Sequence, residues 1–119
     1  MSISPREYIR HMLDEIAFIQ SQLTGQDFDH FNADPVLKRA FVRSLEIIGE
    51  AGKKIPDEVK ALHPQIEWRK ITGIRDRLIH GYFGVDYQIV WDVAANKLPL
   101  LRGQLIQLLD SCPPGCPKG

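Results

Sequence analysis

Two of the 119 residues are cysteine, and both, Cys112 and Cys116, sit in the tail SCPPGCPKG. A C-x3-C pair with no second ligand pair matches neither a zinc knuckle nor a C-x2-C redox motif, so the tail reads as a flexible extension with reduced thiols. The domain then covers residues 1–110 and the tail residues 111–119. Net charge is missing too: 15 basic and 15 acidic side chains cancel, which removes any global field toward nucleic acid or an acidic membrane. Polyanion binding has to come from a local cluster. No stretch approaches the ~20 apolar residues of a membrane span, and MSISPREYIRHM lacks the apolar run of a signal peptide. A cytoplasmic chain with no membrane association is expected. Alternating β-branched runs and internal repeats are also absent.

What is present is helical periodicity. Ser4-Pro5-Arg6-Glu7 reads as an N-cap, a proline in the first turn and the glutamate of a capping box. Tyr8, Ile9, Met12, Leu13, Ile16, Ile19 and Leu23 follow at spacings of three and four, and Thr24-Gly25 stops the helix. GQDFDHFNAD reads as a loop pinned to the body by its two phenylalanines. Asp34-Pro35 opens a second helix whose buried face is Leu37, Ala40, Phe41, Leu45, Ile48 and Ala51. A short turn, DEVKAL, precedes His63-Pro64. A third helical region runs from Ile66 to Tyr82, weakened at Gly73 and Gly81. Asp86 caps a fourth segment, and Pro99 either kinks that helix or starts another. The expected fold is all-α, an antiparallel up-and-down bundle of four to five helices.

The chemistry concentrates in RDRLIHGYFGVDY, Arg75 to Tyr87. A histidine with a carboxylate one turn earlier, as His80 and Asp76 stand on a regular helix, suits a general acid or base. Arg75 offers a rigid, permanently charged fork for phosphate. Tyr82 can stack on a base or donate its phenol to a phosphate. Arg69, Lys70, Arg75 and Arg77 place four cations within nine residues of a neutral chain. Such a set can bind a phosphodiester and cleave it without a metal. It can equally be a solvated helix end. One geometric difficulty stands out: on a straight helix Arg75 and His80 lie about 140° apart. Either the helix ends early near Gly81, or two copies of the segment face each other and complete one site.

Other polar groups carry less. His11, His30 and His63 lie in separate segments, so no metal site and no cofactor are expected. Trp68 and Trp91 read as core. Glu46 and Glu50, one turn apart, can reach a cation but read more readily as an exposed or dimer-facing stripe, and Lys53, Lys54 and Lys60 read as solvated lysines that can extend an RNA surface.

Arg75-x4-His80-Gly81-Tyr82 resembles the R-x4-H-x-Y motif of the HepT-like toxins in the HEPN superfamily. Glu46 to Ala51, Ile66 to Arg69, Gly73 to Asp76, Tyr82 to Asp86, Val90-Trp91 and Leu98-Pro99 resemble that family's flanking signatures, across roughly residues 5 to 110. The resemblance implies a metal-independent endoribonuclease with Arg75 and His80 as its catalytic pair and Asp76 and Tyr82 in support. Arg69, Lys70 and Arg77 would bind RNA. It implies a homodimer in which paired motifs meet, and an MNT-type nucleotidyltransferase antitoxin that places AMP on Tyr82. The alternative within the same fold is a catalytically inactive helical dimer that binds a nucleotidyltransferase partner or nucleotides.

Overall fold

A computed structural model describes residues 4–79 and 84–111. His80, Gly81, Tyr82, Phe83 and the tail cysteines lie outside the described residues.

Helix α1, Pro5–Leu23, starts as its sequence demands: the Ser4 hydroxyl accepts from the Glu7 N–H at 3.4 Å. Its stripe of Ile9, Met12, Ile16 and Ile19 is buried. Gly25, at φ 76°, then turns the chain in a conformation that favours glycine. The segment expected as a loop contains a short helix instead, α2, Phe28–Asn32. Its cap is local, since Asp27 accepts the His30 N–H at 2.8 Å, but what holds it is tertiary: Phe31 drops fully into the core against Phe41 and Trp91. Helix α3, Pro35–Lys53, is capped by Asp34, whose carboxylate accepts the N–H groups of Val36 and Leu37. It buries Leu37, Phe41, Leu45 and Ile48. Helix α4, Asp57–Leu62, is the short turn expected before His63.

The single helical region expected between Ile66 and Tyr82 is two pieces, and it ends sooner. Helix α5, Trp68–Thr72, stops at Gly73, which also opens helix α6, Ile74–Leu78. Ile79 is already extended, at φ −108° and ψ 116°. An isolated antiparallel bridge joins Ile79 to Val85, and the Asp86 N–H donates to the Leu78 carbonyl at 2.8 Å. These partners divert the backbone from continuing the helix.

Helix α7, Tyr87–Asp92, is capped by Asp86 and runs through a π-helical turn, Val93–Lys97, into helix α8, Leu98–Asp110. The two readings of Pro99 resolve into this third arrangement. In an α-helix Pro99 would leave the carbonyl four residues back without a donor and press its ring on it. The wider turn absorbs the misfit, with the Leu98 N–H reaching back five residues to Val93.

The Arg6 guanidinium donates to the Leu109 carbonyl at 3.0 Å, so the start of α1 meets the end of α8 and the two run antiparallel. Gly52, near the end of α3, faces Met12 in the first half of α1, which makes that pair antiparallel as well. Helices α5 and α6 pack on α3. The fold is an all-α bundle, and no named strand occurs among the described residues. No helix among them is long and apolar enough to cross a membrane.

Candidate functional site

Helix α6 sets the directions of three charged side chains. Ile74 and Leu78 are buried and define its inner face. At about 100° per residue, Arg75 leans to one flank of that face, Arg77 to the other, and Asp76 points away from the body. All three are exposed. Arg75 Nε lies 3.9 Å from Glu46 Oε2 on α3, with the arginine 66% and the glutamate 25% exposed. A contact this long and this wet holds the guanidinium loosely. The Nη groups of Arg75 make no hydrogen bond among the described residues, which leaves its fork available to a phosphate.

Glu46 as the arginine's partner is a residue that sequence reasoning passed over in favour of an exposed stripe. The signal was there in the spacing. Glu46 stands one turn before Gly49, and a Cβ at Gly49 would come within 2.9 Å of Ile74 Cγ2 and 3.1 Å of the Ile71 carbonyl. The face of α3 that seats α6 is therefore marked by its glycine, and Glu46 shares that face. Glu50 turns elsewhere and pairs with Lys53 at 3.2 Å.

The separation of about 140° between Arg75 and His80, and the face expected to be shared by Asp76 and His80, both assume a helix that reaches residue 80. It ends at Leu78, so neither relation applies. His80 and Tyr82 are outside the described residues, but the chain on either side of them is well fixed. Ile79 and Val85 are bridged, Leu78 and Asp86 are hydrogen-bonded, and Gly84 adopts φ 82°. The two ends of this part of the motif therefore meet beside the last turn of α6.

The basic patch divides in two. Arg69 and Lys70 are exposed on α5, and Lys70 pairs with Glu67 at 2.8 Å. Lys70 and Arg77 stand at the rim of a cavity that faces α8, on the opposite flank of α6 from Arg75. Glu67 is held below the ordinary carboxylate range, first by its hydrogen bond from Lys70 and then by the charges of Lys70, Lys97 and Arg77. Trp68 is core, with its indole N–H donating to the His63 carbonyl at 3.1 Å, and Trp91 packs on Phe28 and Phe31. No group of three metal-ligating side chains gathers among the described residues.

Comparison with known proteins places this geometry. A protein of Caldanaerobacter subterraneus subsp. tengcongensis, provisionally named an RNase, is 47% identical over 89% of this chain and 95% of its own length. "Probable ribonuclease HepT" of Thermococcus cleftensis is 39% identical over 91% of this chain and 98% of its own. A provisionally named RNase of Methanocaldococcus jannaschii is 38% identical over 79% and 78%. No solved structure matches the chain at a significant level. The family model described as "Ribonuclease HepT-like" matches residues 12–108, so it takes in α3, α5, α6 and the whole motif. This chain belongs to the HepT-like ribonuclease family of the HEPN superfamily.

Proposed function

We propose that this chain is a metal-independent endoribonuclease, the toxin of a prokaryotic toxin–antitoxin pair, acting in the cytoplasm as a homodimer. The single observation that carries the reading is Arg75: an exposed guanidinium whose terminal donors make no hydrogen bond among the described residues, in the same sequence motif, R-x4-H-x-Y, as His80 and Tyr82. In a family described as ribonucleases, that fork suits the phosphate of an RNA strand.

The reaction is a transesterification. The 2'-oxygen attacks the adjacent phosphorus and the bond to the 5'-oxygen breaks, leaving a cyclic phosphate and a 5'-hydroxyl. His80 exchanges a proton with the attacking 2'-hydroxyl or the leaving 5'-oxygen. Arg75 stabilises the added charge of the pentavalent intermediate. Asp76 contacts RNA or orients His80. Arg69, Lys70 and Arg77 hold the strand through its phosphates, so binding weakens as salt rises. Tyr82 seats the RNA and is also the switch. An MNT-type nucleotidyltransferase antitoxin transfers AMP from ATP to its phenol with loss of pyrophosphate, and the bulky anion blocks the groove and repels substrate. A second copy brings its own Arg75 and His80 to the same cleft.

The test is cleavage of RNA by the purified chain in EDTA, with Arg75→Ala and His80→Ala compared at matched circular dichroism. Loss of about 100-fold or more in either variant is expected. Equal cleavage by all three would sink the assignment. No cleavage by any of them, together with tight binding of a nucleotidyltransferase, would favour the inactive-dimer alternative.

A further inference from the structure

Lys97 is a cation that the ribonuclease reading leaves unused. It ends the π-helical turn Val93–Lys97. Together with α3, α5, α6 and α8 that turn lines a half-open cavity of about 240 Å³. Its floor is apolar: Ile48, Ile71, Val93 and Leu101 line it, each 8% exposed or less. Its rim is charged, with Lys70, Arg77 and Lys97 against Glu67 and Asp92.

Of the two carboxylates, Glu67 is ion-paired, whereas Asp92 is hydrogen-bonded to a neutral amide and keeps its charge. Glu67 accepts from Lys70 at 2.8 Å, and Asp92 accepts from the Asn96 amide at 2.8 Å. Arg77 and Lys97 make no ion pair among the described residues, so the mouth carries surplus positive charge. We propose that this cavity binds a small amphipathic organic anion, a ring or short aliphatic body seated on the apolar floor with one carboxylate or phosphate at the mouth between Arg77 and Lys97.

Size supports this. A dry, apolar protein cavity of about 150 Å³ holds benzene. The space here takes a ring and one anionic substituent, and is too small for a dinucleotide. Charge supports it as well, because Arg77 and Lys97 at the mouth outnumber Asp92, the one carboxylate there without an ion pair among the described residues. The π-helical turn that accommodates Pro99 also shapes one wall of the cavity and carries Lys97 at its end. The cavity shares Lys70 and Arg77 with the proposed RNA surface, while its apolar floor and Lys97 belong to this inference alone.

The test is an amide-resolved NMR titration of the full chain with benzoate, phenyl phosphate and the neutral benzyl alcohol. Saturable shifts at Ile71, Val93 and Leu101 with either anion, and binding of the alcohol at least about fivefold weaker, are expected. Lys97→Glu, an exposed position, should weaken the anion about fivefold, the usual reach of one half-solvated charge. Glu67→Gln should tighten it, since a competing carboxylate leaves; a merely structural role for Glu67 would not. The idea is overturned if no probe gives saturable shifts at the cavity, as when a protein segment or an RNA phosphate is the true occupant. It is equally overturned if the alcohol binds as well as the anions, or if Lys97→Glu changes nothing.

Discussion

Helices α1 and α3 are 19 residues long and begin with side-chain caps at Ser4 and Asp34, whereas α5 and α6 have 5 residues each and no side-chain cap. The long pair carry their own stop and start signals and a full apolar stripe. Helices as short as α5 and α6 do not persist alone in water. They exist because α3 offers them a glycine seat at Gly49 and Gly52, and because the chain after Leu78 is clasped back at Val85 and Asp86. The framework is thus specified locally, while the segment bearing Arg75 is specified from outside. A site built this way can be displaced without unfolding the bundle.

The largest effect should come from the framework. Phe41, on the inner face of α3, is fully buried against Phe31. Phe41→Ala should cost about 3–5 kcal/mol, read as the midpoint of denaturant unfolding. A loss under about 1 kcal/mol would mean that the aromatic core is not where stability resides.

A sharper test of the comparison is Gly49→Ala, because the two views disagree in sign. Local helix propensity alone makes alanine about 1 kcal/mol better than glycine within α3. The seat argues the reverse. The new Cβ would meet Ile74 Cγ2 at 2.9 Å and the Ile71 carbonyl at 3.1 Å, and a backbone carbonyl cannot rotate away as a side-chain end can. The expected outcome is a net destabilisation of about 1–3 kcal/mol and a displaced α6, seen as changed amide shifts at residues 74–78. A more stable protein with unmoved α6 would break the account.

This difference also explains what the sequence made legible. The bounds of α1 and α3, their caps and most of the buried stripe could be read directly, since each signal lies within a few residues of its effect. α2 was missed because its cause is the burial of Phe31 against Phe41 and Trp91, which are distant in sequence. The region from Ile66 to Tyr82 read as one helix because Ile71, Ile74 and Leu78 keep helical spacing across the break at Gly73. The bridge that ends it at Ile79 joins residues only six apart, and Gly81 and Gly84 mark a turn there without fixing the residue at which the helix stops. The site was legible as a motif rather than as geometry. Arg75 could be singled out from its neighbours in the string, but its approach to Glu46, and the division of Arg75 from Lys70 and Arg77, depend on how α6 sits on α3.

A smaller effect is expected at Glu46 itself. Its contact with Arg75 is long and partly solvated, so Glu46→Gln should change stability by less than about 1 kcal/mol. Under the ribonuclease reading it removes a negative charge beside the arginine that meets phosphate. RNA binding at low salt should tighten by up to about fivefold, and the gain should fade as salt is raised. Binding that weakens would show that Glu46 positions Arg75 rather than competing with the strand.

The smallest effect tests the framework's flank by pH. Asp27 is held below the ordinary carboxylate value, chiefly by the His30 backbone N–H at 2.8 Å and next by the His30 ring at 2.7 Å. A carboxyl whose folded pKa is depressed adds stability above its unfolded value, and that stability is lost as pH falls through the folded one. The window therefore opens below about pH 4. Asp27→Asn keeps a good N-cap while removing the charge. The variant should be slightly less stable than the parent near neutrality, and the gap should narrow as acid protonates the parent's carboxyl. Denaturant midpoints at about pH 6 and about pH 2.5 decide it. A gap that persists in acid would assign the effect of Asp27 to the geometry of the cap instead of its charge, and α2 would then owe its start to shape alone.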